Sequence, residues 1–113
     1  MKIKDIDKTE RELLSNIKQR PALYIGTTSL EYLQHFLYGY NSAVLLRCSG
    51  EKHFILPDNF NEFVANKLLG HNDTVLNYCT LINNIESDKT KAFELFFKLL
   101  DECLIAQGFE PIE

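Results

Sequence analysis

The sequence lacks tryptophan, and its 113 residues contain only three prolines, five glycines and three cysteines. Cys48, Cys79 and Cys103 are odd in number and far apart, whereas disulfide-stabilised secreted domains have dense cysteine patterns. We therefore expect free thiols and a cytoplasmic protein. The chain also lacks a run of about 18 apolar residues, which a membrane span requires. Its charged first segment is unlike a signal peptide, so we expect no membrane association.

An excess of basic residues is also missing. The chain has 12 Lys and Arg against 16 Asp and Glu, a formal net charge of −4. Nucleic-acid-binding proteins usually carry a basic face, so we expect no nucleic-acid partner. Mild acidity is typical of soluble proteins, and it also complements a basic protein partner.

Motifs that carry catalytic or metal chemistry are absent as well. The three histidines, His35, His53 and His71, are scattered, and no C-x-x-C or H-x-x-x-H pair is present. Neither a phosphate-binding glycine loop nor a nucleophile elbow occurs. Adjacent acids such as Asp101 and Glu102 are more typical of a solvated helix surface than of an acid–base pair. The sequence therefore predicts no metal, no cofactor and no catalytic residues.

Helix-capping residues and periodic apolar stripes are what the sequence does contain. The predicted caps of five helices are Thr9, Thr28, Asp58, Asp73 or Thr74, and Ser87 or Asp88. The first helix should end before Pro21, the second should run to about Cys48, and the third and fifth should end at Gly70 and Gly108. These features predict an all-α, compact, bundle-like domain that spans residues 1–113.

The apolar stripes indicate which residues form the core. The predicted core consists of Leu33, Phe36, Leu37, Val44, Phe63, Ile82, Phe93, Phe96, Leu100 and Leu104. The apolar face of the fourth helix should begin at Val75 and end at Ile85. An alternative adds a small extended element, a hairpin that pairs residues 22–27 with residues 51–56.

Several tyrosines lie off the core stripes. Tyrosine is enriched in protein interfaces, although half-buried packing is the more ordinary interpretation of any single one. The predicted partner-binding residues are polar or amphipathic residues off the stripes: Tyr24, Glu31, Tyr32, Gln34, Tyr38, Asp58 and Glu62.

The stretch Ile17–Gly26, IKQRPALYIG, contains a phrase that resembles the opening of gyrase-B-type ATPase domains. Those domains need an Asp-x-Gly-x-Gly segment and a glycine-rich lid, which this chain lacks, so that function is excluded. A second resemblance is carried by Arg20–Gly26, Ser29-Leu30, Leu33, Phe36-Leu37, Gly39-Tyr40 and Ala43. In these positions the chain resembles small bacterial immunity proteins of contact-dependent and polymorphic toxin systems. The phrases at residues 60–64 and 92–102 extend this second resemblance. Its members usually carry Gly and Met where Ala22 and Leu23 stand.

This resemblance implies a cytoplasmic, non-enzymatic inhibitor that binds one cognate toxin domain, often a nuclease. The inhibitor would block the active site of the toxin or its access to substrate. Two other classes stay open: a stand-alone helical adaptor or regulatory domain, and a small enzyme with an unfamiliar site. The sequence predicts no oligomeric state.

Overall fold

Proline and glycine set several helix ends in the computed structural model, which describes residues 5–47 and 55–112. The helices are α1 (Lys8–Gln19), α2 (Pro21–Ile25), α3 (Leu30–Arg47), α4 (Phe60–Leu69), α5 (Tyr78–Ile85) and α6 (Lys89–Ala106). Pro21 occupies the first turn of α2, where a missing N–H costs nothing. Gly70 ends α4 with a φ of 81°, a left-handed conformation that favours glycine. The all-α prediction is confirmed, and the described residues contain no strand.

The connector predicted between the first two long helices is itself a short helix. Residues 21–25 are helical, and the N–H of Gly26 donates to the carbonyl of Ala22. The proposed hairpin therefore has no extended first strand. Most of its second strand, residues 51–54, lies outside the described residues, as does Cys48.

Several predicted helix starts were wrong by a few residues. Asp7, not Thr9, precedes α1, because the N–H of Arg11 already bonds to the carbonyl of Asp7 at 2.9 Å. Ser29 rather than Thr28 precedes α3, and its Oγ accepts from the N–H of Tyr32 at 3.5 Å. Local sequence therefore located these starts only approximately.

The start of α4 is also displaced, with Asn59 rather than Asp58 at its N-cap. The largest displacement is at α5, where Asn77 replaces Asp73 or Thr74. Its Oδ1 accepts from the N–H of Thr80 at 3.0 Å.

A tertiary hydrogen bond fixes the start of α5. Asn61 in α4 accepts from the N–H of Tyr78 at 2.9 Å. Val75 consequently lies in the preceding loop, where it is fully exposed, and Ile85 is also exposed. Both were wrongly predicted on the apolar face. By contrast, the predicted cap Asp88 is confirmed, since its Oδ1 accepts from the N–H of Lys91 at 2.9 Å.

Helix α6 supplies the largest share of the core. It packs against α3, α4 and α5. Phe96 is fully buried, with ring centroids 5.6 Å from Phe60, 5.5 Å from Tyr78 and 4.9 Å from Phe97. These predicted core residues are confirmed as buried: Leu33, Leu37, Ile82, Phe93, Phe96, Leu100 and Leu104. Phe36, Val44 and Phe63 are instead half-buried, and of these Phe36 and Phe63 pack against the core.

The segment after α6 ties α1 to α6. Ile112 is buried, and its N–H donates to the Asp101 carboxylate at 2.8 Å. Its carbonyl accepts from Lys18 in α1 at 3.4 Å, and the carbonyl of Pro111 accepts from Arg11 at 3.4 Å. The C-terminal segment therefore closes one side of the helix assembly.

Candidate functional site

The outer side of α3 is unusually apolar for an exposed helix face. Tyr38 is 54% exposed, Leu45 59% and Leu46 86%. Tyr38 and Leu45 are seven residues apart, two turns along the helix, so they lie on the same side. Leu33 and Leu37 on the core-facing side are buried. Apolar side chains on both sides of a helix indicate that a core covers one side and a partner can cover the other.

The structure brings several predicted partner-binding residues together on this helix. The Gln34 amide donates to the Tyr38 hydroxyl at 3.2 Å, which links side chains one turn apart. Glu31 is exposed and lies seven residues before Tyr38, on the same side. We call Glu31, Gln34, Tyr38, Leu45 and Leu46 the α3 surface. Tyr32 is 55% exposed and lies at the edge of this surface, on the side of the helix that Leu46 also occupies.

A small cavity with a mixed polar and apolar lining lies between residues of α3, α4 and α5. Its volume is about 180 Å³. The lining residues are Asn41, Leu56, Pro57, Asp58, Phe60, Asn61 and Tyr78, and we call it the Asn41 cavity. Asn41 lies one turn after Tyr38 on α3. The structure thus places the predicted residue Asp58 at a cavity that α3 also lines.

Tyr78, which lines this cavity, is a buried phenol with a raised pKa. Burial is the main cause that raises the pKa of Tyr78 well above its ordinary value. Neighbouring Cys79 and Tyr38 raise it further. The phenol therefore stays neutral.

Two predicted residues stand apart from this group. Tyr24 is half-buried in α2 and lines a separate cavity of about 230 Å³ with Asn16, Gln19, Arg20 and Leu23. Glu62 is exposed in the first turn of α4, beside Asn61, but does not line the Asn41 cavity. The predicted set is therefore one partial cluster with two outlying members.

A larger groove runs along α6, with a volume of about 600 Å³. Phe93 and Phe97 line it, together with charged residues of both signs. The Lys18 ammonium lies 5.8 Å from the centre of the Phe97 ring and 3.9 Å from the Asp101 carboxylate. This groove can accept an apolar group, but its lining includes neither cysteine nor histidine.

The described cysteines are poor nucleophiles. Cys79 and Cys103 are free and buried. Burial raises the pKa of both thiols to about 11, and Glu31 adds to the increase at Cys79 while a hydrogen bond from Asn83 opposes it. Because the thiolate is the reactive form, both thiols are inert at neutral pH.

Within residues 5–47 and 55–112, no group of three or more His, Cys, Asp or Glu residues is placed to hold a metal ion. In the same part of the chain, no helix is long and apolar enough to cross a membrane.

Three residues that matter at this surface were missed by sequence reasoning. Leu45 and Leu46 lie off the stripe formed by Leu37, Tyr40 and Val44. Apolar residues off the core stripe are visible in the sequence and could have indicated an exposed apolar surface. Asn41 gave no signal, because its importance depends on residues of α4 and α5.

Comparison with family models, with curated proteins and with solved structures finds no match to this chain.

Proposed function

We propose that this protein is a non-enzymatic immunity protein that binds and neutralises a toxin domain through the α3 surface. The observation that carries the proposal is the exposed apolar side of α3, formed by Tyr38, Leu45 and Leu46. The proposal of a toxin partner comes from the family resemblance of the chain. The two arguments are independent, since the first concerns only geometry.

The composition of the α3 surface favours binding to another protein. A tyrosine flanked by exposed leucines provides apolar area, and its hydroxyl provides directional hydrogen bonding. The Gln34–Tyr38 hydrogen bond limits the motion of the ring before binding, which lowers the entropy lost on association. Polar Glu31 and Gln34 at one end resemble the polar rim of an interface.

Charge favours a basic partner, as a nuclease commonly is. Glu31, Asp58 and Glu62 are all exposed, and the whole chain carries −4. Charges of one sign around a binding surface accelerate encounter with an oppositely charged protein. Raising the salt concentration should therefore slow association while leaving dissociation nearly unchanged.

The adaptor or regulatory domain is the alternative, and it would use the same α3 surface with another partner. The inert Cys79 and Cys103 thiols support binding over cysteine catalysis. The two binding functions differ only in the identity of the partner, so a partner-specific assay separates them.

The test expresses the product of the gene adjacent to that of this protein, with and without the protein, and measures growth inhibition, rescue and complex formation. Leu45→Glu should abolish rescue and weaken the complex. The matched control is Ile105→Glu, because Ile105 is also 59% exposed but lies on α6, at the groove. Rescue by the Ile105 variant alone supports the proposal. Loss of rescue with the Ile105 variant alone would place binding at the α6 groove. If the folded wild-type protein forms no complex with the toxin, the adaptor function is favoured.

A further inference from the structure

We propose that the Asn41 cavity is a subsite for an arginine side chain of the bound partner. This inference rests on the proposed function and adds the chemistry of one contact. The cavity adjoins the α3 surface, since its wall includes Asn41, which follows Tyr38 by one turn of α3. A protein seated on α3 can therefore reach it with one side chain.

The hydrogen-bonding groups of the cavity require a donor. The Oδ1 atom of Asn41 is buried and has no hydrogen-bond partner. A buried acceptor without a partner is costly, so a ligand that donates to it gains more than an ordinary surface contact provides. Rotation of the amide about its terminal torsion, which is soft, brings this oxygen to an incoming donor.

Two further acceptors line the cavity, although the amide N–H groups of Asn41 and Asn61 and the hydroxyl of Tyr78 can also donate. The Asn61 Oδ1 atom accepts from the N–H of Tyr78 at 2.9 Å and keeps a second lone pair. Asp58 is exposed and is the only ionisable carboxylate lining the cavity. Arginine matches this set, because it carries five N–H donors, no acceptor and a permanent positive charge.

An anion fits the cavity less well, although α4 and α5 both begin beside it. Helix N-termini carry partial positive charge and can bind anions through free N–H groups. Here the N–H of Tyr78 is already bonded to Asn61, and the N–H of Thr80 is bonded to Asn77. The Asp58 carboxylate would further repel an anion. The local chemistry therefore selects a cation.

Size and aromatic content distinguish arginine from a cofactor and from lysine. Pockets for small molecules usually measure about 300–1,000 Å³, so a cavity of about 180 Å³ suits a single side chain. The rings of Phe60 and Tyr78 line it, with centroids 5.2 Å apart. A planar guanidinium stacks on aromatic faces and bonds several acceptors at once, whereas an ammonium is a compact point charge.

The test titrates the isotope-labelled full chain with N-acetyl-arginine methylamide and follows amide shifts by NMR. The citrulline analogue is the control ligand, because it has nearly the same shape without the charge. We expect saturable shifts of the Asn41 and Asn61 side-chain amides with arginine only. Asp58→Asn should weaken this binding about tenfold, the scale of one charge-assisted hydrogen bond.

Glu94→Gln is the control variant, since it removes one exposed acid on α6 without touching the cavity. Its affinity for arginine should be unchanged, and backbone spectra verify that each variant is folded. Equal binding of citrulline, an equal effect of both substitutions, or no shifts would overturn the subsite. No toxin is needed here, so loss of the toxin complex with retained arginine binding would overturn the proposed partner alone.

Discussion

Replacing Phe96 with alanine should lower the free energy of unfolding by about 3–5 kcal/mol, the usual cost of removing a buried aromatic ring. Phe96 is fully buried at the centre of the core. Its ring contacts come from several helices, so no single side chain can move to fill the vacated volume. We therefore expect a value in the upper part of this range.

The aromatic contacts account for part of this magnitude. Phe96 forms edge-to-face pairs with Phe60 in α4 and Phe97 in α6, and a tilted pair with Tyr78 in α5. Each such pair contributes about 0.5–1.5 kcal/mol beyond the burial of area. Domains of this size are stable by about 5–15 kcal/mol in total, so the variant should lose at least about a fifth of its stability.

Thermal unfolding followed by circular dichroism measures the effect. With about 2.1 cal/mol/K of unfolding entropy per residue and 113 residues, Tm falls by about 4 °C per kcal/mol, or roughly 12–20 °C here. Val75→Ala is the control, because Val75 is fully exposed and should change stability by less than about 0.5 kcal/mol. A loss below about 1 kcal/mol at Phe96, with cooperative unfolding, would refute this account of the core.

Three further predictions concern caps, thiols and pH. Asp88→Ala should cost about 1 kcal/mol in urea unfolding, because it removes the bond to the N–H of Lys91; no loss would contradict the capping role. In a Cys48→Ser variant, a thiol reagent at pH 7 should label neither Cys79 nor Cys103 until denaturant is added; rapid native labelling would contradict their burial. Burial raises the pKa of both thiols from 9.0 to about 11 and also raises the pKa of Tyr78, so these groups should lower Tm as pH rises from 9 to 11 and contribute no pH dependence well below pH 9; a rise in Tm would contradict the sign.

Helix α6 shows what local sequence can predict. Asp88 at its cap, the apolar positions Phe93, Phe96 and Leu100, and Gly108 beyond its end all agree on one helix and one buried face. Each of these signals acts within a few residues of chain, so neighbouring sequence contains them all. The fold class and most of the core follow from signals of this kind.

The start of α5 shows why other features could not be predicted. Thr74 looks like a helix cap in isolation, yet the helix begins at Tyr78 because Asn61 of α4 accepts its N–H. The burial of Ile112 likewise depends on Asp101 in a different element. The unpartnered oxygen of Asn41 is a property of the α3, α4 and α5 junction. These features depend on tertiary contacts, which the periodicity of apolar residues in the sequence does not reveal.

The two sides of α3 allow binding and folding to be perturbed separately. Leu37 is buried in the core, while its neighbour Tyr38 is more than half exposed. Adjacent residues on a helix are about 100° apart, so one turn of backbone supplies both a core contact and a surface contact. Leu46 is 86% exposed and adds little to the core, because most of its side chain stays in contact with water. Charged substitutions at Leu45 or Leu46 should therefore leave stability nearly unchanged. Any loss of partner binding in these variants then results from the changed interface and not from unfolding.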